Sequence, residues 1–146
     1  WSQDLGLPII IHSRDSMDEV IDILEKNRWH TEGGILHCFT GNLEQAKRLI
    51  DLGFYLGIGG VATYKNGGLE PVIAEISLEH LVLETDAPYL APVPFRGKRN
   101  ESAYIRHVAQ RISEIKMVDF KEVEAETTAN ALRIFAKYGQ FVRSEE

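Results

Sequence analysis

The alternation of short, continuous apolar runs with amphipathic segments most strongly constrains the fold of this chain. The apolar runs are "LPIII" before His12, "GGILHCF", "FYLGIGG" and "LVLET". Each run has the length of a strand and is apolar on both faces, which is typical of strands buried between helices in a parallel sheet. The segments between the runs have the apolar periodicity of helices. The sequence therefore predicts an α/β fold made of four β-α units.

Local signals indicate where the predicted helices begin and end. Residues from Ser16 to Glu19 have the form of a capping box, and Asn42 can cap the helix that follows it. Gly53 lies where a helix would end, and Pro71 lies near the first turn of a short helix. Right-handed crossovers then place the helices outside a closed barrel or on both sides of an open sheet.

The length of 146 residues corresponds to one domain or to a piece of a larger one. The chain begins at Trp1, within what reads as a helix end running into Gly6, and this start predicts that an upstream part is missing. The apolar runs are too short for a membrane span, so no membrane association is expected. The single cysteine, Cys38, excludes an internal disulfide and favours a reducing compartment, so we expect a cytoplasmic protein.

A formal net charge of −6 argues against a protein that holds nucleic acid by bulk positive charge alone. This charge does not exclude an enzyme that handles phosphates with the help of a metal ion. The function therefore has to be inferred from individual residues.

Polar residues follow three of the predicted strands at the point where each strand ends. The first strand runs into His12, the second into His37, and the fourth into Glu84 and Asp86. In parallel α/β folds the chemistry lies at the carboxyl ends of the strands. A single histidine there is more often a hydrogen-bonded core residue, but two histidines with an acid are a ligand set for divalent metal ions. The sequence therefore predicts a metal site.

Five stretches of the sequence resemble the TatD family of metal-dependent hydrolases and deoxyribonucleases, and they occur in the family's order: "LPIIIHSRD", "HCFTG", "ETDAPYLAP", "RGKRNE" and "TTANALRIF". The resemblance implies a (β/α)8 barrel, of which this chain would supply strands five to eight. Residues 1–146 would then be a single partial domain that lacks the N-terminal half of the barrel.

The resemblance also implies a site with two divalent metal ions, such as Mg²⁺, Mn²⁺ or Zn²⁺. The metal ligands carried over to this chain are His12, His37 and Asp86, with Asp86 also catalytic. Glu84 matches the family's Glu-Thr-Asp and is assigned a supporting role behind the ligands.

The chain departs from the family pattern at several points. The family's remaining ligands are a His-x-His pair on the first strand and a Glu on the fourth, and neither is present. The histidines of this chain are His12, His30, His37, His80 and His107. Phe95 stands where His or Tyr is more usual, and Ser102 where Pro is common. About half of the metal ligands are missing, so the chain alone is predicted to be inactive.

Two arginines are candidates for binding a substrate phosphate. Arg14 lies two residues after His12, and the alternative for Arg14 is a salt bridge to Asp15 or Asp18. Arg96 belongs to a basic cluster in the loop after the fourth strand, and the alternative is a solvated surface. The other members of that cluster are Lys98 and Arg99.

Several other conspicuous residues are predicted to be structural. Cys38 alternates away from His37 and is expected to pack against the helix layer. The glycines of "GIGG" are expected to leave room inside a barrel and to allow a tight turn. His30, His80 and His107 are not expected to be catalytic.

The predicted activity is metal-dependent hydrolysis of phosphodiester bonds in DNA by an exonuclease, with Asp86 binding metal and orienting or deprotonating a water. One alternative is hydrolysis of a small cyclic amide or ester on the same scaffold. Another is a non-catalytic, open α/β binding module whose histidines are structural.

The half-barrel hypothesis carries a prediction about the sheet edges. Residues 8–12 and 81–85 would form unpaired edge strands, which favour pairing with other chains. Leu36 and Ile58 are expected on the inner face, where they would lose the opposing strands. The chain alone is therefore predicted to self-associate or to require the missing half.

Overall fold

The computed structural model describes residues 1–27 and 33–135 of the chain. Within these residues the strands form one parallel sheet in chain order: β1 (Ile9–His12), β2 (Gly34–His37), β3 (Phe54–Ile58) and β4 (Leu81–Leu83). His12 lies opposite His37 in the register of β1 and β2, and Ile58 lies opposite Leu83 in that of β3 and β4. The predicted α/β fold with a parallel sheet is confirmed, and β1 and β4 are the edges of the described sheet.

The helices connect and follow the strands as predicted. In the described residues they are α1 (Ser2–Leu5), α2 (Met17–Lys26), α3 (Leu43–Asp51), α4 (Glu70–Glu75), α5 (Ile105–Lys116) and α6 (Phe120–Phe135). Short 3₁₀ segments cover Gly60–Thr63, Leu78–His80 and Ser102–Tyr104. None of these helices combines the length and the apolar character that crossing a lipid bilayer requires. The cytoplasmic location stays a prediction.

The N-cap predicted at Asn42 is confirmed, whereas the capping box predicted at Ser16 is wrong. Asn42 caps α3: its side chain accepts a hydrogen bond from the Gln45 N–H at 2.9 Å, and the Gln45 side chain accepts one from the Asn42 N–H, also at 2.9 Å. The capping box predicted from Ser16 does not form, because the Ser16 side chain makes no cap bond. The Ser16 hydroxyl lies 3.3 Å from the hydroxyl of Ser13 instead.

One face of the sheet is covered by the helices and forms the main core. Leu36 and Ile58 are 0% and 1% exposed and belong to this core, so their predicted placement on the inner face was wrong. Successive side chains of a strand point to opposite faces. Because His37 and Ile35 point to the other face, Leu36 between them points to the helices.

The second face is covered in part by the end of α6. Ile35 and Val82 pack there with Ile134, and Tyr55 lies against the same cluster. At the β1 edge the same face is open, since Ile10 is 57% exposed. The second face therefore carries a small apolar cluster, and polar residues such as His12 and His37 lie at the carboxyl ends of its strands.

Candidate metal centre

Three polar side chains from two different strands meet above β3. His37 is the last residue of β2, while Glu84 and Asp86 follow β4. One ligand atom from each of the three lies within 4.8 Å of the other two. Their side chains are 26%, 16% and 21% exposed, so the group is sheltered and still reached by solvent.

Glu84 connects the two sides of this group. One of its carboxylate oxygens lies 2.9 Å from His37 Nδ1, and the other accepts a hydrogen bond from the backbone N–H of Cys38. The hydrogen bond at one ring nitrogen determines the tautomer of an imidazole. Glu84 therefore favours a proton on Nδ1 and leaves Nε2 of His37 free to act as a ligand.

The other side of the His37 ring faces Asp86. His37 Nε2 lies 2.9 Å from Asp86 Oδ1, and the buried Asp86 Oδ2 has no hydrogen-bond partner among the described residues. In a neutral His37 that donates to Glu84, Nε2 and Asp86 Oδ1 are two acceptors facing each other. A cation, or a second proton on the His37 ring, stabilises this pair of acceptors, and the buried carboxylate oxygen left unpaired is a further acceptor for a cation. Imidazole nitrogen and carboxylate oxygen are the donors that divalent metal ions take, so the residues fit a metal ion.

The protonation of His37 follows the same electrostatics. Burial lowers the pKa of His37, but the hydrogen bond and charge of Glu84, together with those of Asp86, outweigh burial and raise the pKa above its ordinary value. Burial raises the pKa of Glu84, although the hydrogen bonds from His37 and Cys38 oppose it. In the metal-free chain a proton on His37 can therefore take the place of the cation.

Cys38 lies at the site and not against the helix layer, so its predicted placement was wrong. The backbone of Cys38 has a positive φ of 48°, which breaks the alternation of the strand directly after His37. Burial and the nearby Asp86 carboxylate raise the pKa of the Cys38 thiol to about 12. A thiol with this pKa stays protonated at neutral pH, which argues against a nucleophilic role.

His12 and Arg14 lie on the same rim but outside this three-residue group. The ring centroid of His12 lies 5.9 Å from that of His37, so the structure brings the two histidines side by side. The Arg14 side chain is 86% exposed, with Nε 4.0 Å from Asp15, which is one of the salt-bridge alternatives considered for it. The ligand role of His12 and the phosphate role of Arg14 stay predictions.

Arg96 is held against an aromatic ring in the region of the site. Its guanidinium carbon lies 4.3 Å from the ring centroid of Tyr64, and the Tyr64 hydroxyl donates to Ala91 O at 2.9 Å. Burial raises the pKa of Tyr64, and the charge of Arg96 opposes this shift. A guanidinium held in place is well suited to binding a phosphate. The phosphate-binding role of Arg96 stays a prediction. The solvated-surface alternative for Lys98 and Arg99 stays a prediction too.

His80 and His107 lie away from this site. His107 packs in an aromatic cluster with Phe95 and Tyr104, whose rings stack with their centroids 4.0 Å apart. His80 ends the 3₁₀ segment that precedes β4. His30 lies outside the described residues.

Comparison with known proteins identifies the chain. The family profile described as "TatD related DNase" matches residues 1–136. The chain belongs to the TatD family. Among curated TatD-like relatives it is similar to the uncharacterized metal-dependent hydrolase YabD of Bacillus subtilis, at 45% identity over 92% of the chain and 53% of the relative. It is also similar to the 3'-5' ssDNA/RNA exonuclease TatD of Klebsiella pneumoniae, at 34% identity over 90% of the chain and 52% of the relative.

Solved structures of TatD proteins share this fold. The crystal structure of YJJV, a TatD homolog from Escherichia coli K12, superposes with a TM-score of 0.85 at 31% identity, covering 92% of this chain and 52% of that one. A TatD family hydrolase from Entamoeba histolytica, at 22% identity, has the same fold with a TM-score of 0.79, covering 91% of this chain and 52% of that one. The chain spans about half the length of the curated TatD relatives it matches.

Proposed function

We propose that this chain carries part of the active site of a TatD-type metal-dependent hydrolase that cleaves phosphodiester bonds in DNA as an exonuclease. The observation that carries the proposal is the group of His37, Glu84 and Asp86, with its unpaired buried carboxylate oxygen. The family match supports hydrolysis, and two relatives named 3'-5' ssDNA/RNA exonuclease TatD support nucleic acid as the substrate.

In this proposal His12, His37 and Asp86 hold the metal ions, and Glu84 orients His37 through Nδ1. Two divalent ions, such as Mg²⁺, Mn²⁺ or Zn²⁺, would act as Lewis acids on the phosphoryl group and lower the pKa of water. Asp86 accepts the proton of that water or orients it for attack, because its unpaired oxygen is the acceptor left open at the site. Arg96, held over Tyr64, and Arg14 bind phosphates of the substrate.

We further propose that residues 1–146 form a single partial domain corresponding to strands five to eight of a (β/α)8 barrel. Among the described residues β1 and β4 are the edge strands of the sheet, and Ile10 is exposed on the face that would line the barrel; both observations support this assignment. The missing strands would cover that face and would supply the remaining metal ligands.

The proposal is tested by comparing the chain alone with a chimeric barrel. The chimera fuses residues 1–146 to the part of Bacillus subtilis YabD that this chain does not match. We expect the chain alone to self-associate, because its edge strands have no neighbouring strand on one side. We also expect it to leave DNA intact, because about half of the family's metal ligands are missing. We expect the chimera to be a closed barrel that removes nucleotides from single-stranded DNA with Mg²⁺ or Mn²⁺.

The chimera also separates the alternative functions. Hydrolysis of small cyclic amides or esters, with DNA left intact, would favour the amidohydrolase alternative. A folded chimera that binds no metal and hydrolyses neither class would favour the non-catalytic binding module. A monomeric chain that cleaves DNA without the added half would contradict the half-barrel proposal.

Arg96→Ala is expected to weaken binding of single-stranded DNA to the chimera with little change in metal content. Removing one phosphate contact reduces the slope of log K against log salt by about 0.7 for a single strand. The measurement is a salt titration of the DNA dissociation constant. Arg99→Ala, at an exposed arginine of the same loop, is the matched control. An unchanged slope in Arg96→Ala would assign Arg96 to the solvated surface.

A further inference from the structure

Glu84 reaches groups on β2 although a whole strand separates them. β3 lies between β2 and β4, and neighbouring strands are about 4.8 Å apart, so the side chain has to span roughly twice that distance. The Glu84 N–H donates to Ile58 O at 3.1 Å, so the backbone of Glu84 is bound to β3. Its carboxylate contacts His37 and Cys38 on the far side. The side chain of Glu84 therefore lies across β3.

The position that Glu84 crosses is occupied by glycine. A Cβ placed on Gly57 would lie 2.5 Å from Glu84 Oε2, 2.8 Å from Cδ and 3.1 Å from Oε1. The first two distances are shorter than those that real Cβ atoms show, so any other residue would push the carboxylate away. Gly57 is not among the residues with positive φ, so its backbone does not require glycine. The requirement for glycine comes from the space that Glu84 occupies.

We infer that Gly57 is a positioning residue of the metal centre. It acts only through Glu84, by leaving the gap in β3 through which the carboxylate reaches His37 and Cys38. The expected effect of Gly57 on metal binding rests on the proposed function. The effect of Gly57 on the position of Glu84 does not, and it can be measured without any metal. A methyl group at position 57 would turn the Glu84 carboxylate away from Cys38 and release the His37 ring.

The test is Gly57→Ala in the full 146-residue chain, with two readouts. The first is the NMR signal of the Cys38 amide, which donates to Glu84; in the variant we expect it to shift toward the value seen in Glu84→Ala and to exchange faster with solvent. The second is Zn²⁺ affinity, followed by titration. Loss of a partner that orients a metal ligand costs about 10–100-fold in affinity, and we expect a loss of that size.

Two controls separate positioning from a general effect on the fold. A Cβ on Gly59 would meet Glu84 atoms only at 3.7–3.9 Å, which is ordinary contact, so Gly59→Ala should keep the wild-type amide signal and Zn²⁺ affinity. In the Glu84→Ala background the methyl group at position 57 meets no carboxylate. Gly57→Ala should therefore add no further loss there, which a double-mutant cycle measures directly.

The outcomes distinguish this inference from the proposed function. A wild-type Cys38 amide signal in Gly57→Ala, or additive losses in the double variant, would overturn the role of Gly57. If neither the wild-type chain nor the chimera takes up Zn²⁺, the metal-binding proposal fails and the Cys38 amide alone decides the role of Gly57. If Gly57→Ala does not fold, Gly57→Ala with Glu84→Ala should fold; failure of that double variant also contradicts the inference.

Discussion

Asp86→Asn is expected to abolish DNA hydrolysis by the chimeric barrel, with a loss of about 10³-fold or more in rate. Such a loss corresponds to about 4 kcal/mol of transition-state stabilisation. The substitution keeps the volume of the side chain but removes its charge and replaces one acceptor oxygen with a donor. Asp86 faces His37 Nε2 at 2.9 Å, and its other oxygen is buried without a partner, so both of its oxygens lie where a ligand or base is needed. The measurement is the single-turnover rate of DNA cleavage with Mn²⁺.

The chain offers a matched control for this charge change. Asp15 lies on the same rim, its side chain is 95% exposed, and its positive φ of 58° is one that asparagine tolerates. Asp15→Asn should therefore keep both activity and fold. Retained DNA cleavage in Asp86→Asn, with thermal unfolding unchanged, would remove Asp86 from the proposed mechanism.

Asn130→Ala is expected to destabilise the fold by about 3 kcal/mol. Asn130 is 0% exposed, and its amide nitrogen donates to Leu78 O and Leu81 O, both at 2.8 Å. Its carbonyl oxygen accepts a bond from Arg133 at 2.8 Å. Alanine would leave two backbone carbonyls without these donors, and each buried unpaired group costs about 1–3 kcal/mol. The expected decrease in Tm is on the order of 10 °C.

Thr128→Ala is the control for Asn130→Ala, because Thr128 is exposed on the same helix. It should change the free energy of unfolding by no more than about 0.5 kcal/mol. Both variants are measured by denaturant unfolding of the chimera. A change in Asn130→Ala as small as that in Thr128→Ala would mean that α6 is not held to β4 through this amide.

The placement of the rim histidines was predictable from the sequence. His12 and His37 end two apolar runs, and parallel strands deliver their carboxyl ends to one edge of the sheet, so the two rings had to be neighbours. The assignment of faces went wrong at Leu36 and Ile58. A continuous apolar run does not show which face is inward, and only alternation from His37 would have placed Leu36 on the helix side.

The role of Asn130 shows the limit of a motif. "TTANALRIF" contributed to the family resemblance, and nothing in its letters separates a catalytic amide from a structural one. In the folded chain the Asn130 side chain donates hydrogen bonds to backbone carbonyls at and just before β4. These contacts give Asn130 a structural role. The motif helped to identify the family, and the contacts identify what this residue does.

The amino-acid order alone determines the four strands, their parallel arrangement and the histidines and acids at their ends, because these depend on local periodicity and on the direction of the chain. The bridge from Glu84 over Gly57 to His37 and the turn that brings Cys38 to Asp86 depend on distances between residues far apart in sequence. Such distances exist only once the strands have packed at their fixed spacing. The pairing of His37 with Asp86, which a metal ion or a proton on His37 stabilises, is therefore a property of the tertiary structure.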